Sequence, residues 1–232
     1  MSIIYSLEKL FQSYFGRFES IYYPVYRIFR GFNHHIVTEQ TEVVIEGYPR
    51  VGNSFAVAML RNSQRRDLSI ASHLHVSAQL FKAKRLQKPA ILLIRDPLSA
   101  VSSFILRDTI NAKIAFDYYI NFYKYFISIK DCFLVVDFRD LTNNYNKIIE
   151  SLNKKFSTNF DIPSNLEDIK TESLKEIDEH YRFVMGFDDV SLVSSSPSPE
   201  KENQKEELME YLISNYEKGL ADAERIYREI IN

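Results

Sequence analysis

Residues 43 to 55 hold the most informative stretch of the chain, Val43-Val44-Ile45-Glu46-Gly47-Tyr48-Pro49-Arg50-Val51-Gly52-Asn53-Ser54-Phe55. The β-branched run at its start predicts a buried strand, and the apolar spacing from Ser54 onward predicts a helix. A loop between strand and helix presents unpaired helix amides to an anion, and Gly52 lets the backbone come close to it. Arg50 adds a cation that can form paired hydrogen bonds with phosphate or sulfate oxygens.

The pattern repeats outward from this stretch as short apolar runs separated by helical segments. Strands are predicted at residues 43–45, 68–71, 90–94 and 133–137, and helices at about 76–86, 97–104, 116–129 and 145–156. Residues 157 to 200 are polar and irregular, and one closing helix is predicted from about residue 200, with Ser198 as its cap. Buried strands alternating with helices predict an α/β fold: a three-layer α/β/α arrangement with a central parallel sheet, like the P-loop nucleotide hydrolases. Ligands of such sheets bind at the carboxyl ends of the strands.

Residues 1 to 36 carry an aromatic stripe at helical spacing, with arginines beside it. This predicts an amphipathic helix, bent or broken at Pro24, that either covers the main domain or makes a peripheral contact with an anionic membrane. We therefore expect an N-terminal helical segment over residues 1–40 and a single α/β domain over residues 41–232.

Composition limits the function classes. The 232 residues are 45% hydrophobic and 26% charged with a net charge of -2, which fits a globular protein and argues against nucleic acid as a partner. The single cysteine, Cys132, is expected to be a buried and inert thiol. Because the chain has no apolar run long enough to span a membrane and no secretory signal, we expect it in the cytoplasm, with membrane association limited to the inner face.

A nucleotide kinase or hydrolase is one interpretation of the first loop, since the spacing Gly47 to Gly52 approaches that of a triphosphate-binding loop. Asn53 stands where such a loop needs lysine, which disfavours it. Asp137, at a strand end, could hold the magnesium of such an enzyme. Asp140 is expected to cap the following helix.

Two further segments carry chemistry. Arg95 follows a buried strand, and Ser103 lies eight residues later on the predicted helix. Between the two anion-binding segments, His73 and His75 follow the second strand, where one of them could act as a general base. A structural role for these histidines is the alternative. The other histidines have no such context, and the pair lacks the carboxylates of a convincing zinc site.

At these residues the chain resembles the sulfotransferases that use 3′-phosphoadenosine 5′-phosphosulfate (PAPS), in particular the small bacterial type. Tyr48-Pro49-Arg50-Val51-Gly52-Asn53-Ser54-Phe55 is similar to the motif that wraps the 5′-phosphosulfate, and Arg95 with Ser103 is similar to the motif that binds the 3′-phosphate. The resemblance implies PAPS as sulfuryl donor, a hydroxyl-bearing acceptor, no metal, and His73 or its neighbour His75 as base. It implies donor-binding roles for Arg50, Val51, Gly52, Asn53, Ser54, Phe55, Arg95 and Ser103, and a catalytic role for Arg50 as well.

The chain departs from that family at two places. Arg50 replaces the usual lysine, so it can supply charge but not a proton. The C-terminal loop that closes over the cofactor in the family corresponds to residues 194–201, which contain no glycine. A non-catalytic nucleotide-binding or glycan-binding protein is therefore a third interpretation. The acceptor is expected among glycans or lipid-linked saccharides, and the aromatic run of residues 116–125 is expected to be mostly helix core.

Overall fold

The computed structural model describes residues 3–30, 35–186 and 199–232. Its four strands are β1 (Val43–Gly47), β2 (Ile70–Ser72), β3 (Ala90–Ile94) and β4 (Leu134–Asp137), all parallel and in the order β2-β1-β3-β4. Every residue of β1 and β3 is buried. Because successive side chains of a strand point to opposite faces, the sheet is covered on both faces. The predicted α/β fold with a central parallel sheet is confirmed.

Helices surround this sheet. They are α1 (Ile3–Phe15), α2 (Glu19–Arg30), α3 (Asn53–Asn62), α4 (Ser77–Arg85), α5 (Pro97–Asp108), α6 (Ala112–Tyr123), α7 (Phe138–Asn143), α8 (Tyr145–Phe156), α9 (Leu166–Met185), α10 (Pro199–Asn215) and α11 (Glu217–Ile231), with a 3₁₀ turn at Lys130–Cys132. Helix α5 begins at Pro97 as predicted, and the Asp96 carboxylate caps it by accepting from the Ser99 amide at 2.9 Å.

Three predictions about the helices are wrong. Residues 166–185 form a helix of 20 residues rather than irregular chain, because Ile169, Leu174 and Ile177 give it an apolar stripe that packs against the core and α3. The C-terminal region forms two helices, not one. The run 116–129 is helical only to Tyr123. The predicted cap Ser198 lies outside the described residues, and Cys132 is only partly buried.

The N-terminal segment consists of two helices that pack on different neighbours, α1 on α6 and α2 on α4. The helical conformation is interrupted at residues 16–18, whereas Pro24 lies inside α2 without ending it. Tyr22 and Tyr23 are buried against α4, so part of the aromatic stripe covers the domain as one interpretation predicted. Ile28 and Phe29 are 79% and 80% exposed. Among the described helices none is long and apolar enough to cross a bilayer.

Candidate anion-binding site

The loop between β1 and α3 leads into a helix N-terminus that no side chain caps. Gly52 precedes α3 in a left-handed conformation, with φ 97°, and no side chain caps the first amides of the helix. A Cβ at Gly52 would lie 2.8 Å from the Leu141 side chain, so only glycine fits this approach. Val51 is fully buried, and the Asn53 side-chain amide donates to the Tyr48 carbonyl at 3.1 Å.

The two predicted anion-binding segments meet in space. Arg50 Nε donates to Ser103 Oγ at 3.0 Å, and Arg95 donates from its guanidinium to the Arg50 carbonyl at 3.1 Å. The Arg95 guanidinium also lies 4.1 Å above the Phe138 ring, a cation–π contact that fixes its plane. Arg95 and Ser103 lie 45 and 53 positions after Arg50 in the sequence, yet the three residues form one cluster with two guanidinium groups. They meet because β1 and β3 are neighbouring parallel strands whose carboxyl ends share one edge of the sheet.

The histidine segment follows β2, on the other side of β1. His73 Nε2 lies 3.2 Å from Ser54 Oγ and its Nδ1 lies 2.7 Å from Ser72 Oγ. His75 Nδ1 lies 2.9 Å from the Gly47 carbonyl oxygen. Burial, followed by repulsion from His35, lowers the pKa of His73 to about 4. The ring is therefore neutral near pH 7 and able to accept a proton.

All these segments line one cavity of about 870 Å³. Its wall holds Arg50, Arg61, Arg95, Arg107, Lys170 and Lys205 against the acidic Glu176 and Glu202, with His35, His73, His75 and His180 beside them. An excess of fixed cations at a helix N-terminus suits a ligand with several negative charges.

Several wall residues were not predicted from the sequence. Lys170 and His180 come from α9, the helix that the sequence pattern did not reveal, and Lys205 comes from α10. His35 and His180, which have no motif context in the sequence, both line the cavity. Lys205 lines the same cavity as Arg95, and burial, followed by repulsion from Arg95, lowers the pKa of Lys205. Of the predicted closing loop, residues 194–198 lie outside the described residues.

Arg50 stays charged despite its burial and the cations around it. Desolvation first, then repulsion from Arg107, lowers the pKa of Arg50 to about 10. A group with that pKa still carries its proton at pH 7. Arg107 itself forms a bidentate pair with Asp108, at 3.0 and 2.6 Å.

Asp137, the candidate magnesium ligand of a kinase or hydrolase, makes structural hydrogen bonds instead. Asp137 is the cap of α7, where it accepts from the Arg139 amide at 2.8 Å, and it also accepts from the Tyr227 hydroxyl at 2.5 Å. The prediction that Asp140 is the cap is wrong, because Asp140 lies within α7 and accepts from Asn144 at 2.9 Å. Over the three described ranges, no group of three or more His, Cys, Asp or Glu side chains is placed to hold a metal ion.

A second, smaller cavity of about 350 Å³ adjoins the first at the histidines. The two share His35, Val57, Arg61 and His73. The smaller one continues along β2, with walls of Leu68, Ser69, Ile70 and Ser72. The aromatic run of residues 116–125 is mostly core, as expected: Phe116, Tyr118, Tyr119, Phe122 and Tyr123 are buried, and none of them lines either cavity.

Comparisons with known proteins find similarity among solved structures. No protein-family model matches the chain, and no curated protein matches it. Among solved structures, the chain is similar to the crystal structure of mouse sulfotransferase SULT7A1 complexed with PAP. Sequence identity is 13% and the TM-score is 0.44, over 82% of this chain and 90% of that chain.

Proposed function

We propose that this protein transfers a sulfuryl group from PAPS to a hydroxyl group of an acceptor. The observation that carries the proposal is the cluster in which Arg50, Arg95 and Ser103 contact one another beside the uncapped N-terminus of α3. A donor with a phosphosulfate at one end and a 3′-phosphate at the other needs two cationic groups at such a helix end. The 870 Å³ cavity is large enough for a nucleotide.

The residues divide the work of the reaction as follows. The acceptor oxygen bonds to sulfur, the bond from sulfur to the 5′-phosphate oxygen breaks, and the hydroxyl proton passes to a histidine of the His73–His75 segment. Arg50 and the amides of residues 52–55 face the negative charge that grows on the departing phosphate. Arg50 acts through its charge alone, because its guanidinium stays protonated at neutral pH.

The kinase or hydrolase interpretation has less support. Asn53, in the lysine position, donates to the Tyr48 carbonyl and turns inward. Asp137 caps α7 and binds Tyr227, and it does not line the cavity. The acceptor screen with labelled PAPS, described below, tests the interpretation as a non-catalytic binding protein.

The proposed acceptor is a hydroxyl of a glycan or of a lipid-linked saccharide, bound where the smaller cavity joins the larger one beside the histidines. Access to a lipid-linked acceptor is supported by the apolar, exposed face of α2, which presents Ile21, Ile28 and Phe29 next to the exposed Arg17 and Arg27. Helix α4, on which α2 packs, carries basic residues in its last turn and no acidic residue in its first turn. We propose that this face contacts the anionic inner surface of the cytoplasmic membrane.

Nucleotide binding tests the donor assignment. Isothermal titration calorimetry at one salt concentration compares adenosine 3′,5′-bisphosphate, adenosine 5′-phosphate and ATP with magnesium. We expect the bisphosphate to bind most tightly, because it alone offers a 3′-phosphate to Arg95 and Ser103. Preference for ATP with magnesium contradicts the proposal. Screening acceptors with labelled PAPS then separates an enzyme from a binding protein, since binding without transfer to any acceptor supports the latter.

A further inference from the structure

Glu46 is a buried carboxyl group that the proposed chemistry has not yet used. It lies near the carboxyl end of β1 and is fully buried. Its Oε1 accepts from the Gly47 amide at 3.2 Å, and its Oε2 accepts from the Leu74 amide at 3.0 Å. Leu74 stands between the two histidines, so Glu46 ties the histidine segment to the strand that leads into the anion-binding loop.

The histidine segment is held in a strained backbone conformation. His73 and His75 both have positive φ values, 64° and 54°, a left-handed conformation that is unfavourable for a residue with a side chain. Such residues persist only where their surroundings determine them. Here the Leu74 amide is bound by Glu46, and the Tyr118 hydroxyl donates to the His75 carbonyl at 2.7 Å.

The same contacts fix a tautomer at only one of the two histidines. The Gly47 carbonyl can only accept, so His75 Nδ1, at 2.9 Å from it, carries the proton and Nε2 carries the lone pair. His75 lines the larger cavity, and no described side chain hydrogen-bonds to its Nε2. Both nitrogens of His73 face hydroxyl groups, which can donate or accept and therefore fix neither tautomer.

We propose that His75 is the general base and that Glu46 is the positioning residue that holds it. The inference rests on the proposed function, in which one of the two histidines takes the acceptor proton. The acceptor hydroxyl gives its proton to His75 Nε2 as its oxygen bonds to sulfur and the bond from sulfur to the phosphate oxygen breaks. The resulting imidazolium keeps Nδ1–H on the Gly47 carbonyl, with Glu46 Oε1 3.7 Å from that nitrogen.

The surrounding charges favour a neutral His75 before reaction. Burial, followed by repulsion from His73, lowers its pKa well below the usual value, and Lys9 and Arg107 act in the same direction. Burial raises the pKa of Glu46 to about 8, against the opposing effect of the backbone amides that it accepts from. Glu46 can therefore hold the turn by hydrogen bonds near neutral pH without forcing a proton onto the ring.

Nitrogen-15 NMR of the histidine rings in the full chain tests the inference without an acceptor. In the wild type we expect one neutral tautomer of His75, protonated at Nδ1. Glu46→Gln keeps the volume but cannot accept from both amides, so a second tautomer should appear. Glu42→Gln is the matched control, because Glu42 also accepts a backbone amide, that of Ser69 at 2.9 Å, near the opposite end of β1.

Two NMR results would overturn the inference. One is a wild-type His75 protonated at Nε2. The other is a His75 tautomer unchanged by Glu46→Gln in a variant whose backbone spectrum elsewhere matches the wild type. Loss of fold in Glu46→Gln is checked by thermal melting, and Glu46→Asp, which keeps a carboxylate but shortens it, then replaces it in the same comparison.

Kinetics with an acceptor from the labelled-PAPS screen give a second readout. We expect His75→Asn to lower kcat by roughly 100-fold or more and Glu46→Gln by roughly tenfold, with bisphosphate affinity within about twofold of wild type. A larger loss in His73→Asn than in His75→Asn would overturn the assignment of the base. Failure of the wild type to bind bisphosphate would refute the proposed function, whereas the tautomer results would be unaffected by it.

Discussion

Arg95 is proposed to bind the 3′-phosphate of the donor and not its 5′-phosphosulfate, so replacing it gives the most specific prediction. Arg95→Met removes the guanidinium while keeping much of the side-chain length. A hydrogen bond to a charged group contributes about 1.5–3 kcal/mol, so the bisphosphate should bind roughly 10- to 150-fold more weakly. Adenosine 5′-phosphate has no 3′-phosphate for Arg95 to bind, and its affinity should change by less than about threefold.

The structure also predicts a stability cost for this variant. Arg95 loses its bond to the Arg50 carbonyl and its contact with the Phe138 ring, together about 1–2 kcal/mol. Calorimetric titrations are therefore run well below the melting temperature. Arg61→Met is the control, since Arg61 lines the same cavity but is 53% exposed and paired with Glu176 at 2.7 Å. Equal losses for both nucleotides in Arg95→Met would refute the assignment of Arg95 to the 3′-phosphate.

Three other perturbations have expected outcomes. Gly52→Ala should lower the free energy of urea unfolding by about 2 kcal/mol or more, because it adds a Cβ at φ 97° only 2.8 Å from a leucine side chain; Gly186→Ala, at φ 72° with no atom within 4 Å of the added Cβ, should cost only about 1 kcal/mol. Between pH 4.5 and the raised Glu46 pKa of about 8 the native state binds more protons than the unfolded state, so wild-type stability should fall by up to about 1.4 kcal/mol per unit as the pH rises through that window; the same pH titration of urea unfolding should show no such fall in Glu46→Gln. Phe29→Ser should weaken co-sedimentation with phosphatidylglycerol vesicles about tenfold, while Phe183→Ser, which alters an 88% exposed phenylalanine on α9, should not, and equal losses would contradict a membrane-facing α2.

The sheet was predictable because its strands are short apolar runs with clear ends. Every residue of Val43–Gly47 and of residues 90–94 is buried, and Glu46 is the one polar side chain in these two strands. Helix α9 was not predictable in the same way. Its apolar stripe is sparse, and the long polar remainder of residues 166–185 has the composition of a loop until α3 supplies a surface to pack against.

That the cationic and histidine segments meet at one cavity could be predicted from topology. Arg50, His73 and Arg95 each follow one of three neighbouring strands, in the order β2-β1-β3, so a parallel sheet must bring their backbones to one edge. Lys205 could not be predicted, because it reaches the cavity from a helix more than a hundred residues later in the chain. Glu46 was hidden for a different reason: a carboxylate inside an apolar strand gives no sequence signal of which amides it will bind.

Backbone strain links these observations. Of the described non-glycine residues, six have positive φ, and three of them, Arg50, His73 and His75, line the cavity. The chain has only six glycines, so left-handed conformations at the site fall on residues whose side chains are needed there. Each strained residue is fixed by a neighbouring segment: Arg50 by Ser103 and Arg95, and the histidine turn by Glu46 and the Gly47 carbonyl. The contacts that offset the strain also hold the cationic side chains and the histidines at the cavity. Conservative changes at Glu46 should therefore alter the chemistry before they unfold the protein.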